Sequence, residues 1–199
     1  MSRSELKKQA ILTAAREVFK SQGVQSTSMD KLAEVAGVSK RTVYNHFKTK
    51  EDLVMYLVRE LWQKAMFSDD NHYDASKPLA PQLTKLALNE IALMSSQDYI
   101  DLSRVAVGHF FYQPEALVAE VEKMSKQETS IHKWLENAQK DNNLAIDDIE
   151  FANHQLHSLI KGGCFWPQLM GLAPLLTPKE QRELAHESVA MFLARYEKS

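Results

Sequence analysis

The stretch Thr27-Ser28-Met29-Asp30-Lys31-Leu32-Ala33-Glu34-Val35-Ala36-Gly37-Val38-Ser39-Lys40-Arg41-Thr42-Val43-Tyr44-Asn45-His46-Phe47-Lys48-Thr49-Lys50 reads as two short helices around a tight glycine turn. Thr27 or Ser28 offers an oxygen that can cap the first helix. Met29, Leu32, Ala33 and Ala36 follow at helical spacing and give it one apolar face. Gly37 comes after the last of them, where a left-handed residue is needed and only glycine enters cheaply. Val38 fills the angle, Ser39 caps the second helix, and Val43 and Phe47 turn inward. Two helices across a three- to four-residue glycine turn make the helix-turn-helix, whose second helix enters the major groove.

The outward face of that second helix carries Lys40, Arg41, Thr42, Tyr44, Asn45 and His46. All of these side chains donate hydrogen bonds and none is acidic. Arg bidentate to guanine and Asn bidentate to adenine are the common readout pairs, so Arg41 and Asn45 are the expected base readers. Ser28 and Ser39 stand at the two helix starts beside them. Thr49 caps a further helix with Lys50 in its first turn. A cation there opposes the helix dipole, which makes sense beside a phosphate.

Composition points the same way. The 199 residues carry a net charge of −2. Residues 1–64 hold twelve Lys and Arg against seven Asp and Glu, a balance of +5; residues 65–199 hold twelve against nineteen, a balance of −7. A basic head on an acidic body brings only the head to nucleic acid. At 44% hydrophobic the chain can bury a core, and no run approaches the eighteen apolar residues of a membrane span. The first residues lack the apolar stretch of a signal peptide. Cys164 is the single cysteine, so a reducing cytoplasm is the expected home.

Elsewhere the pattern is helical throughout, and the expected fold class is all-α. A first helix over residues 4–22 places Ile11, Ala15, Val18 and Phe19 on one face. A helix from about Lys50 to Phe67 follows, and Ser68 to Pro78 is loop chemistry. Helices are then expected over Pro81–Ser96 and Tyr99–Tyr112. A longer one runs from Pro114 to Lys140, broken by Asp141-Asn142-Asn143. Asp147 to Glu150 has capping-box spacing and opens a helix reaching Met170, with Gly162-Gly163 and Pro167 as places to bend. Thr177-Pro178-Lys179-Glu180 starts the last helix, which runs to Tyr196. The expected division is a head at 1–48, a connecting helix at 49–67 and a body at 68–199.

The quoted stretch carries a resemblance. Ala33 to Ser39, then Thr42-Val43-Tyr44-Asn45-His46-Phe47, then Lys50-Glu51-Asp52-Leu53 resembles the amino-terminal signature of the TetR family of bacterial transcriptional regulators. Ile11-Leu12, Ala14-Ala15 and Val18-Phe19 before Gly23 fit as well, so the resemblance covers roughly residues 1–65. The carboxyl part has a general similarity to the subgroup whose regulatory domain resembles that of AefR. Two positions depart: Arg41 stands where a small residue is frequent, and Asn45 where His or Arg is frequent. These bear on the operator sequence rather than on the fold.

The resemblance implies that Tyr44, His46 and Lys50 hold phosphates. It also implies that the body pairs two copies through a four-helix interface and binds a small effector that alters the distance between heads. Repression by blocking polymerase is the usual mode of similar proteins. For pairing, the apolar stripes of the last two long helices are the candidates: Leu156, Leu159 and Ile160 on one, Leu184, Met191 and Phe192 on the other. Two-fold dimers match half-sites about 34–36 Å apart. For sensing, Met94, His109, Phe110, Tyr112, Trp134, Phe165 and Trp166 are large soft side chains with few charges among them, which favours an apolar or aromatic ligand.

Two other classes fit less well. An enzyme would need a metal or a nucleophile. His154 and His157 are three apart, and Glu183 and His186 have the Glu-x-x-His spacing of di-iron bundles, but such a site needs two copies. Cys164 lacks a reactive flank, and there is no serine elbow, phosphate-cradling glycine loop or cysteine pair, so neither a cofactor nor catalysis is expected. An architectural DNA binder would need strong overall positive charge, which this chain lacks.

Overall fold

A computed structural model describes residues 2–67, 73–110 and 129–198, except that nothing is said of the side chains of His109 and Phe110. Ten helices lie within these residues. They are α1 (Arg3–Gln22), α2 (Met29–Val35), α3 (Lys40–His46), α4 (Lys50–Met66), α5 (Leu79–Met94), α6 (Gln97–Phe110), α7 (Ser130–Lys140), α8 (Ile149–Cys164), α9 (Trp166–Leu169) and α10 (Pro178–Tyr196). No strand occurs among the described residues, and the all-α expectation is met.

The chain divides into two compact units. One holds Met1–Glu60 together with α6 from Asp101 onward; the other holds Leu61–Ile100 together with the described residues from Thr129 on.

In the first unit, α1 buries Ile11, Leu12, Ala15, Val18 and Phe19 on one side. Leu32 and Ala33 of α2, Val43 of α3, Phe47, and Leu53, Val54 and Leu57 of α4 complete the core. Truncating one such leucine to alanine costs about 2–5 kcal/mol. Thr49 and Asp52 cap α4 reciprocally: the Asp52 carboxylate accepts from the Thr49 amide at 3.1 Å and the Thr49 hydroxyl accepts from the Asp52 amide at 3.0 Å.

In the second unit, α10 packs along α5 and α8, and α7 against both of those. Trp134 and Leu135 of α7, Leu83 and Ile91 of α5, Leu156 and Ile160 of α8, and Val189 and Phe192 of α10 are buried. Gly163 of α8 lies under Leu184, where a methyl group would come within 2.7 Å of the leucine side chain.

Two helix limits differ from the sequence expectation. The helix ending at Lys140 starts at Ser130, because Thr129 is extended and its side chain accepts from the His132 amide at 3.2 Å. The helix expected to reach Met170 stops at Cys164. Pro167 has no N–H for the Gly163 carbonyl, and the Gln168 side-chain amide donates to that oxygen instead, at 3.3 Å. The chain restarts as the short α9 at Trp166. Thr177 and Glu180 form the expected capping box on α10. At α8 the cap is Asp148, whose carboxylate accepts from the Phe151 amide at 2.9 Å.

Candidate nucleic-acid interface

The helix-turn-helix is built from its caps outward. The Ser28 hydroxyl accepts from the Lys31 amide at 3.1 Å and opens α2. At the other end the Val38 amide donates to the Ala33 carbonyl at 3.0 Å and the Gly37 amide to the Glu34 carbonyl at 3.1 Å. This closing pattern needs a left-handed residue, and Gly37 has φ +64°. A side chain at Gly37 would meet no neighbour within 4 Å, so the demand for glycine is conformational rather than steric. The Ser39 hydroxyl accepts from the Thr42 amide at 3.2 Å and lies 2.8 Å from the Thr42 hydroxyl. Both serines spend a lone pair on the cap and keep a rotatable O–H donor.

Val43 is the buried residue of α3, and it turns the opposite face outward. Lys40, Arg41, Tyr44 and Asn45 are exposed, and Thr42 and His46 are half-buried at the edges of that face. The structure therefore brings the expected readers and their flanking donors onto one solvent-facing surface. Lys40 is tied to Asp30 of α2 at 2.5 Å. The hydrogen bond that the Lys40 ammonium donates to the Asp30 carboxylate raises the Lys40 pKa above the ordinary lysine value. Such an exposed pair is weakly held and can exchange its acid for a phosphate.

Lys50 departs from the expectation. Its ammonium donates to the carbonyls of Val24, Gln25 and Thr27 at 3.0, 3.2 and 3.3 Å. A lysine has three N–H donors, and all three are committed to the loop before α2. A phosphate contact from Lys50 is not what this arrangement provides. The cation sits at the start of α4 because three carbonyl oxygens compensate it there.

Known proteins carry the same elements. A model of the amino-terminal domain of the bacterial regulatory proteins, tetR family, matches residues 11–57. A model of the AefR-like transcriptional repressor C-terminal domain matches residues 81–198, more than half of the chain. The chain belongs to the TetR family of transcriptional regulators. A TetR family transcriptional regulator from Pseudomonas syringae pv. tomato is 36% identical, with 97% of each chain covered and a TM-score of 0.74. Shorter matches include an HTH-type transcriptional regulator of Staphylococcus aureus, 33% identical over 72 residues, and AcrR of Shigella flexneri, 43% identical over 56 residues. Those stretches take in 34% and 28% of this chain, and the chain spans 39% and 24% of the length of these two relatives.

As a TetR-family protein it is a DNA-binding transcriptional regulator with α2 and α3 as its helix-turn-helix. The second unit of this TetR-family regulator holds the residues expected to pair and four of those expected to sense, while His109, Phe110 and Tyr112 fall in the first. Met94 and Trp134 are buried, Phe165 is half-buried and Trp166 is exposed. Phe165 touches Tyr99 and Trp166 with ring centroids at 6.0 and 5.0 Å. Trp134 meets Tyr73 edge-on at 5.6 Å, and its indole N–H points to Gln82 at 3.5 Å. His109 and Phe110 occupy the end of α6; their side chains, like Tyr112, lie outside the described residues.

Three of the six expected pairing residues face inward. Leu156, Ile160 and Phe192 are at most 3% exposed within one chain and have no surface to offer a partner. Leu159 and Leu184 are half-buried, and Met191 is 61% exposed. The buried half of these stripes serves its own chain's core. The outward face of α8 lies on the opposite side of the helix and carries Phe151, 59% exposed, with His154, Gln155 and Ser158.

The sequence reading missed one buried polar pair. Glu90 of α5 is 1% exposed, and its carboxylate lies 2.8 Å from Nδ1 of His157 on α8. The other carboxylate oxygen has no hydrogen-bond partner among the described residues. Burial, and then the charge of Glu90, pushes the Cys164 thiol up to about 12, so it stays protonated and inert. An acid within the apolar run Leu86 to Met94 was the available signal. His157 is thus engaged with Glu90, while His154 is exposed. Glu183 pairs with Lys179 at 3.6 Å and His186 with Glu187 at 3.4 Å. Among the described residues, no three His, Cys, Asp or Glu side chains are grouped to hold a metal.

Proposed function

We propose that this regulator binds a pseudo-palindromic operator as a homodimer, represses by occupying it, and leaves it when a small apolar or aromatic effector binds the body. The reading assigns residues 1–48 to DNA, 49–67 to the connection, and 68–199 to pairing and sensing. The carrying observation is the acid-free donor face of α3, turned outward by the burial of Val43. Arg41 and Asn45 read bases, and Ser28, Ser39, Lys40, Thr42, Tyr44 and His46 position the backbone.

Pairing is supported by the outer face of α8 and α10. Phe151 and Met191 stand exposed beside an open groove of about 570 Å³ that also takes in Leu159 and Ser158. Large exposed apolar side chains at adjacent positions mark contact surfaces. Sensing is supported by Met94, Phe165 and Trp166 in the body. Repression is the mode named in the body's family model. An effector need favour one head spacing over the other by only about 1.4 kcal/mol to shift the equilibrium tenfold.

The test begins with selection of duplexes from a randomised pool. The expected product is an inverted repeat bound by two chains. A promoter carrying that repeat should be silenced by the protein and released by an aromatic compound that binds the body. Recovery of an asymmetric single half-site bound by one chain would overturn the reading.

A further inference from the structure

We propose that the cleft between the first two turns of α1 and the last turn of α3 holds a phosphate of the DNA backbone flanking the bases read by α3. The proposal rests on the DNA-binding role of α3. The cleft has a volume of about 430 Å³ and is lined by Arg3, Ser4, Lys7, Thr42, Asn45 and His46. No lining residue is acidic, and every one can donate a hydrogen bond.

The sequence of α1 concentrates charge on this side. Arg3 and Lys7 are four apart and share a helix face. Neither is paired with another described residue. The nearest acid in sequence, Glu5, is two residues from each, and its carboxylate accepts from the Gln9 side-chain amide at 3.2 Å. The neighbouring cation is occupied: the Lys8 ammonium lies 4.2 Å over the Tyr56 ring. Thus Arg3 and Lys7 are the free cations of this helix end, and they face the same cleft as Thr42, Asn45 and His46. A strand passing α3 in the major groove brings its phosphates beside that helix, and an unpaired Arg–Lys couple one turn deep matches their charge.

The experiment uses the full chain and a duplex that the wild-type protein selects from a randomised pool. Affinity is measured against salt for wild type, Arg3→Gln/Lys7→Gln and Lys8→Gln. The double variant should lose about one unit of salt slope and keep its base preference, and Lys8→Gln should keep the wild-type slope. A scan with single methylphosphonate linkages needs no variant. One flanking position should weaken wild-type binding severalfold and leave the double variant unaffected. An unchanged slope, a loss confined to particular sequences, or a scan with no sensitive flanking position would overturn the proposal while leaving the DNA-binding role intact. Failure of the wild-type protein to retain any duplex would instead overturn that role, and the proposal with it.

Discussion

α3 and the α8–α10 face are both amphipathic helical surfaces, and they differ in what they leave outside. α3 buries Val43 and exposes Arg41, Tyr44 and Asn45. α8 and α10 bury Leu156, Ile160 and Phe192 and still expose Phe151 and Met191. A polar outer face with free donors suits a hydrated, charged duplex. An apolar outer face suits another protein surface. The same packing rule thus leaves two chemically different surfaces, set by the residues left over after the core is satisfied.

The comparison breaks most decisively at the apolar face. Phe151→Asp with Met191→Asp should leave the fold intact, since both residues are exposed, and should weaken self-association by about 2–5 kcal/mol. Sedimentation equilibrium reads this as a shift from dimer to monomer; an unchanged mass would move the pairing surface elsewhere. At the polar face, Arg41→Ala should cost about 1–3 kcal/mol on the preferred duplex and relax discrimination at one base position. Equal losses on all sequences would make Arg41 a backbone contact.

Lys50→Met sharpens the contrast within the head. Losing the three carbonyl contacts should destabilise the first unit by about 1–3 kcal/mol. The salt slope of DNA binding should stay unchanged, whereas a slope lowered by about one unit would return Lys50 to the phosphate set.

The smallest effect is expected at the start of α10. The Thr177 hydrogen bonds hold the Glu180 carboxyl below its usual range. A depressed carboxyl stabilises the fold above its unfolded pKa of about 4.3 and loses that contribution as pH falls through the folded value. Thr177→Ala should therefore lower the melting temperature slightly at neutral pH, and the gap to wild type should narrow in acid to what the pH-independent bond from the Glu180 amide contributes. A gap that stays constant with pH would separate the cap from Glu180.

The helix-turn-helix was legible because every signal in it is local. Ser28, Gly37 and Ser39 act on amides and carbonyls within five residues, so their spacing reveals the turn before any packing is known. Lys50 was read as a phosphate ligand because its partners lie 23 to 26 residues away, a distance no local pattern carries. Leu156, Ile160 and Phe192 of the expected pairing stripe turned out buried for a related reason. Periodicity finds the apolar face of a helix but not whether that face meets its own chain or another.

The amino-acid sequence alone determined the helical class, the DNA-reading head and its donor face, since hydrophobic spacing, caps and a glycine turn act over one or two helical turns. Only the tertiary structure decided which apolar residues of α8 and α10 remain outside, that Lys50 clamps a loop, that Glu90 meets His157, and that Arg3 and Lys7 share a cleft with α3. Those outcomes depend on which distant segments come together, and that follows from packing the whole unit rather than from any single stretch.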